Sequence, residues 1–393
     1  MTTTDNAAAT RAGMWATYAA FILTGFVFAS WASRIPQVRD RLGLSPAEVG
    51  FVLLAIAFGS LIALPLSGGL VHRFGSRRTV ATLAVGDGMA VAVVAVGYRF
   101  GVVPVVLGLA MFGFCQGGWD VAMNVQGAEV ERRLGRAIMP RFHAGFSVGT
   151  VAGALLGSAA VATDVSVTTH LLVVAAVVAL VVPWAVRGFV PDGHEEHEGD
   201  DAGPVGSSRT LRAWREPRTL LVGLFVLTFA FAEGTGNDWV GLAMIDGYGV
   251  EAALGTLVFA GFLAAMTAGR WFGPGLLDRY GRVPVCRAMA AVSLVGVLLF
   301  VWGGMTEVAF AGALLWGFGL SLGFPVGMSA AADESGMAPA RVSVVASLGY
   351  CAFLAGPPLV GFLGEAFTVL SAMTAVAVAL LLGTLLSSSV RPL

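Results

Sequence analysis

Gly69-Leu70-Val71-His72-Arg73-Phe74-Gly75-Ser76-Arg77-Arg78 has a later counterpart in Gly275-Leu276-Leu277-Asp278-Arg279-Tyr280-Gly281-Arg282. Both stretches run glycine, two apolar residues, one polar residue, arginine, an aromatic ring and a second glycine, and Arg279 lies 206 residues after Arg73. Each closes one long apolar run and opens the next, so each is a short charged loop between two apolar segments. Self-similarity at one long offset divides a chain into related halves. Other echoes agree: Gly113-Phe114 with Gly317-Phe318, and Arg141, Ser147 and Gly149 with Arg341, Ser347 and Gly349.

The composition around these loops is far from that of a soluble protein. Of 393 residues, 57% are hydrophobic and 12% charged, with a mean hydropathy of +0.82. Soluble domains carry about 25% charged residues. A soluble enzyme of two or three domains is therefore excluded. Twelve apolar spans can be read, at 14–33, 47–71, 79–97, 102–125, 142–161, 168–186, 219–243, 252–277, 283–303, 307–331, 342–363 and 367–386. Each is close to the roughly 20 residues that cross a bilayer as a helix. The expected fold class is an all-α polytopic membrane protein with twelve transmembrane helices in two six-helix bundles.

The longest loop sets the expected divisions: 1–187, a linker over 188–217, and 218–393. The linker holds His194, Glu195, Glu196, His197, Glu198, Asp200 and Asp201, whose spacing fits no standard metal site and reads as a solvated connector. All 23 basic residues are arginine. With the N-terminus inside, 18 of these 23 fall on the cytoplasmic side, so both termini are expected to be cytoplasmic. The polar start, Met1 to Ala12, and the long run after it do not fit a cleaved signal peptide, so the first span is expected to remain as an anchor. A net charge of −1 without a basic tract gives no reason to expect a nucleic-acid partner. Cys115, Cys286 and Cys351 are scattered and form neither a disulfide framework nor a metal site.

The chain resembles the major facilitator superfamily over nearly its whole length. That family's G-x3-D-R-x-G-R-R loop signature is matched by Gly68, Arg73, Gly75, Arg77 and Arg78, with His72 in the aspartate position. The second copy keeps Asp278, Arg279, Gly281 and Arg282. More narrowly, Asp120-Val121-Ala122-Met123-Asn124-Val125-Gln126, Glu129, Glu131-Arg132-Arg133-Leu134-Gly135 and Arg141-Phe142-His143 resemble the YbjJ-like branch, which includes rhizopine-associated membrane proteins. Gly349-Tyr350 and Gly356-Pro357-Pro358-Leu359-Val360-Gly361 fit the same branch. The resemblance implies the major facilitator fold and a loop motif that gates the cytoplasmic side. Arginines crowded at a helix end need acidic partners, so the expected pairs are Arg73 with Glu129 or Glu131, and Arg279 with Asp333. The plainer alternative is that the arginines only set topology.

Ionisable groups at membrane depth mark function by default. Gln116, Asp120 and Asn124 recur every four residues and make one helical stripe in span four, beside Trp119. Asp120 is the first candidate for a proton-carrying carboxyl, the alternative being a structural ion pair with an arginine. Span seven offers Glu233, Asn237, Asp238 and Trp239, with Glu233 a candidate for coupling or solute binding. The resemblance puts spans one, four, seven and ten around a central cavity. Trp31, Gln116, Trp119, Asn124, Asn237, Asp238 and Trp239 are accordingly the candidate solute contacts. Arg34 either pairs with Asp238 as an outer gate or snorkels to the headgroups. Arg270 needs a counter-charge, with Asp120 and Glu233 both possible, while Asp87 in span three, peripheral in the family, reads as packing or water-binding. His143 reads as a helix-end histidine.

Glycines at 145, 149, 153 and 157 allow span five to approach a neighbour closely. The same stretch spells G-x-S-x-G, but that signature needs a strand-to-helix elbow and is rejected in a membrane helix. No enzyme constellation, cofactor site or phosphate-binding loop is present in the sequence. The expected activity is secondary transport of a small polar solute, such as a sugar or polyol, by proton-coupled symport in the bacterial inner membrane. The partners are the solute, protons and lipid, and the chain is expected to act as a monomer. Proton-coupled drug or metabolite efflux is the alternative, and a non-transporting sensor a distant third. Family drug antiporters carry an arginine in span four where Gly113 stands here, and a G-P pair in span five that is missing here, which weakens the efflux reading.

Overall fold

The structure is a computed structural model that describes residues 3–135, 138–192, 211–334 and 337–392. The His/Glu-rich stretch of the linker, with Arg136 and Arg209, lies outside the described residues. All regular structure among the described residues is helical.

Eleven helices among these residues are long and apolar enough to cross a membrane, and the chain is a multi-pass membrane protein. One of the eleven, Pro46–Gly97, has 52 residues, about 78 Å at 1.5 Å per residue. That is more than twice the roughly 30 Å of a hydrocarbon core. Gly75 breaks it in the middle, with φ 79° and ψ 157°, so the element supplies both span two and span three, and the spans number twelve. Gly281, between spans eight and nine, has φ 79° and ψ 166°. This corner of the backbone map is essentially open to glycine alone. The sequence repeat is thus also a repeat of dihedral angles.

Other interruptions follow local chemistry. Span one, Thr3–Ala32, turns at Ser33 and Arg34 into a short helix, Ile35–Leu42, that carries a proline in its first turn and ends on the left-handed Gly43. Ser45 then caps span two. Its hydroxyl accepts from the Glu48 N–H at 3.4 Å, and the Glu48 carboxylate accepts from the Ser45 N–H at 2.9 Å. Span ten is split into Thr306–Leu320 and Gly323–Ala331, and span twelve into Val369–Ala372 and Thr374–Leu386.

The chain forms two compact units, Met1–Glu195 with Ala252–Ala260, and Glu196–Glu251 with Gly261–Leu393. In the first, span five packs on span one through its glycines: a Cβ on Gly149 would collide with the Ile22 carbonyl, and one on Gly25 with the Phe146 carbonyl. Spans two and four meet likewise. Gly113 lies against the Ile56 carbonyl, and the Ser60 hydroxyl donates to the Gly113 carbonyl at 2.9 Å. In the second unit Gly317 of span ten lies against the Phe262 carbonyl of span eight, the repeat counterpart of that contact. Without a hydrophobic force between helices in lipid, such backbone-to-backbone packing is what holds them together. Aromatic rings fill the remaining space, with Phe142 between Tyr18 and Phe21, and Trp316 between Phe262 and Phe300.

Candidate functional site

Each unit brings polar side chains to membrane depth, and the two do so differently. In the first, Asn124 donates to the Asp120 carbonyl at 2.8 Å and to its carboxyl at 3.2 Å, one turn along the same helix. Gln116, the third member of the stripe, turns instead to span three and donates to the Asp87 carboxyl at 3.2 Å. In the second unit Arg270 donates to Glu233 at 2.8 Å, so the counter-charge that Arg270 required is Glu233. Neither side chain is fully covered by the protein, with exposures of 29% and 19%. Asp238 is half-buried, and the Asn237 carbonyl oxygen is buried without a hydrogen-bond partner among the described residues.

Trp31, Trp119 and Trp239, expected as solute contacts, are buried among the packed helices, as is Trp316. Successive residues on a helix lie about 100° apart, so the neighbour of a carboxyl that faces one way belongs to another face. Their indole N–H groups have no hydrogen-bond partner among the described residues.

Arg34 is also placed differently from either expectation. It is 2% exposed, which excludes snorkelling, and it donates to His170 Nδ1 at 2.9 Å and to the Val165 carbonyl at 3.0 Å. A guanidinium can only donate, so His170 Nδ1 must be the acceptor and its proton sits on Nε2. The pair ties the end of span one to the start of span six.

At the arginine-rich ends the expected ion pairs give way to others. Glu129 pairs with Arg132 and, at 2.6 Å, with Arg133 on its own helix. These are i,i+3 and i,i+4 neighbours and reach it before any residue of another loop. Glu131 accepts from the N–H groups of Ile138 and Met139 at 2.6 and 2.7 Å, satisfying the open start of span five. Arg73 lies over the Phe74 ring at 5.3 Å, and Arg279 over Tyr280 at 5.1 Å. Asp333 does receive arginines, from Arg282 at 2.7 Å and Arg218 at 3.0 Å, rather than from Arg279. The turn at Gly281 presents Arg282, the first residue of span nine, to the end of span ten. Arg77, Arg78 and Asp278 are exposed, and Gly68 faces open space.

Two fasteners went unread in the sequence. Gln126 is fully buried and grips Val190 at both backbone atoms, accepting from its N–H at 2.7 Å and donating to its carbonyl at 3.1 Å. Beside it Asp192 accepts from the Ser76 N–H at 2.7 Å and the Ser76 hydroxyl at 2.5 Å, a carboxylate placed on the start of span three. The available signal for Gln126 was an amide in a membrane helix that lies off the face of the 116, 120 and 124 stripe; Asp192 lies in the stretch that reads as linker. In the second unit Arg341 bridges Glu216 at 2.6 Å and Glu334 at 2.8 Å. Chiefly through its hydrogen bond, the Arg341 guanidinium holds the Glu216 carboxyl below the usual carboxylate range.

The family model of the Major Facilitator Superfamily matches residues 12–338. An uncharacterized transporter, y4wD, of Sinorhizobium fredii is 33% identical over 89% of this chain and 91% of its own length. The membrane protein MosC of Rhizobium meliloti is 29% identical over 88% and 82%. Among solved structures, the nucleoside transporter NupG covers 95% of this chain and 98% of its own, with a TM-score of 0.76 and 13% identity. The Escherichia coli fucose:proton symporter FucP covers 96% and 98%, with a TM-score of 0.62 and 16% identity.

Proposed function

Because the chain belongs to the major facilitator superfamily, a family of secondary transporters, we propose that it carries a small polar solute, such as a sugar or polyol, by proton-coupled symport. It does so by alternating access in the bacterial inner membrane, as a monomer with both termini in the cytoplasm. Bundles 1–187 and 218–393 are the moving parts, and 188–217 links them. Asp120 is the coupling carboxyl, and Asn124, Asn237 and the Glu233–Arg270 pair are the solute contacts.

The observation that carries this reading is the Glu233–Arg270 pair, 2.8 Å apart on spans seven and eight and only partly covered by other side chains. A pair of opposite charges offers both donors and acceptors to hydroxyl groups but no net charge. It therefore favours a neutral polar solute over the cation that efflux would require, because Arg270 cancels the attraction of Glu233 for an amine. NupG and FucP, of like fold, are named for a nucleoside and for fucose with protons, which is in keeping with a hydroxylated solute.

External pH in a weakly buffered suspension of de-energised cells tests the proposal as sugars, polyols and cationic drugs are added in turn. Alkalinisation with a sugar or polyol, lost in Asp120→Asn, is the expected result. Acidification with a drug would replace symport with efflux by exchange, and alkalinisation unchanged in Asp120→Asn would move the proton to another group.

A further inference from the structure

Asp87 is the most completely enclosed carboxyl among the described residues, with no exposure at all, and it lies near the middle of span three. Its walls are apolar or weakly polar. Span four brings the Cys115 thiol, close over Gly86, and the Gln116 amide, while span six brings Ala175 and Ala179 against Gly88. The carboxyl of Asp120 lies one turn beyond Gln116 on span four. No described residue forms an ion pair with Asp87. Oδ2 accepts one hydrogen bond, from Gln116 Nε2 at 3.2 Å, and Oδ1 is buried with no partner among the described residues.

An ionised carboxyl in such a place would have exchanged its whole hydration shell for a single amide N–H. Buried charges persist in proteins when paired or amply hydrogen-bonded, and otherwise neutralise. A carboxylic acid suits the same surroundings: Oδ2 as the carbonyl that Gln116 contacts, and Oδ1 as the oxygen that bears hydrogen. We propose that Asp87 is a proton-binding site of the first unit, occupied at neutral pH, and that Gln116 is its positioning residue.

The inference deepens the symport reading and rests on it only for what the proton does in turnover. Gln116 belongs to the stripe that carries Asp120 and Asn124, so a shift of span four along span three would separate the amide from Asp87. An amide donor favours the ionised carboxyl, so separation would tighten the hold on the proton, and the arrangement with Gln116 in contact is the one from which it leaves more readily, which ties its release to movement of the solute-facing stripe. This makes Asp87 a second carrier beside Asp120, placed on a helix that the solute does not touch.

Infrared spectra of the full chain reconstituted in lipid at neutral pH test the site without any solute. The wild type minus Asp87→Asn difference is expected to contain one carboxylic-acid C=O band. Gln116→Leu, which removes the donor to that carbonyl, is expected to shift this band to higher frequency and keep it. A difference spectrum showing carboxylate stretches in place of the acid band would overturn the proposal. If Asp87→Asn does not fold, the Gln116 variant decides alone, and an acid region identical to wild type would also overturn it. Absence of solute-driven pH changes with the band intact would remove the symport reading and leave the proton site standing.

Discussion

The two units share a backbone plan and differ in the charge they place on it. Gly75 and Gly281 turn the chain through nearly identical angles, and Gly113 and Gly317 bring two helices into contact at equivalent points. The side chains built on that plan diverge. In the first unit, carboxyls at membrane depth meet amides, Asp120 with Asn124 and Asp87 with Gln116; in the second, Glu233 meets Arg270. At the loop ends each unit sets a carboxylate between two arginines, but Glu129 takes them from its own helix and Asp333 takes Arg218 and Arg282 from other helices. Duplication has kept the geometry and released the chemistry. A carboxyl met by an amide is suited to holding a proton, and a carboxyl met by an arginine to holding a neutral polar molecule.

The shared plan can be broken at its closest contacts, where the largest effects are expected. Gly113→Val and Gly317→Val each place a side chain against a carbonyl of the facing helix. Each should lower stability by about 3 kcal/mol, the upper part of the overpacking range, in thermal melts of purified protein. A variant tolerated in only one unit would show that the packing is not equivalent. The divergent chemistry is probed next by Arg270→Met, which leaves Glu233 without its cation. A loss of about 2 kcal/mol is expected, less than for a fully buried pair because both side chains are only partly covered. Adding Glu233→Met should recover most of it, and a double variant as unstable as the single one would mean that Arg270 acts through other contacts.

The smallest effect concerns acid. The Glu216 carboxyl titrates below its ordinary range in the folded chain, so its bond to Arg341 stabilises fully above that range and is lost as pH falls through the lowered value. Melting temperature should therefore decline on the acid side, and Glu216→Gln should flatten part of that decline. An unchanged acid limb in the variant would assign it to other carboxyls.

The fold was legible because its signals are long. Twelve apolar runs, an exact loop repeat and a glycine ladder on span five each extend over many residues, and their period does not depend on which neighbour they meet. The polar stripe at 116, 120 and 124 was legible in the same way. Partner choice was not, because it turns on a few tens of degrees of helix rotation. Gln116 left the stripe for Asp87, Trp119 beside Asp120 faced the interior, and Asp333 met Arg282 three residues past Arg279. Arg34 was misread for a related reason: its partner, His170, is 136 residues away and carries no opposite charge to look for. Gln126 and Asp192 show a further gap, since an amide or carboxylate that closes on a passing backbone does not name its partner in the sequence.

The contact at Gly113 bears on the chain's evolutionary options. Here the Ile56 carbonyl occupies the space where even a methyl group on residue 113 would stand. No larger side chain fits there while spans two and four remain in contact. A substitution at this one position therefore cannot bring new chemistry to span four, because the helices must separate before the side chain can be accommodated.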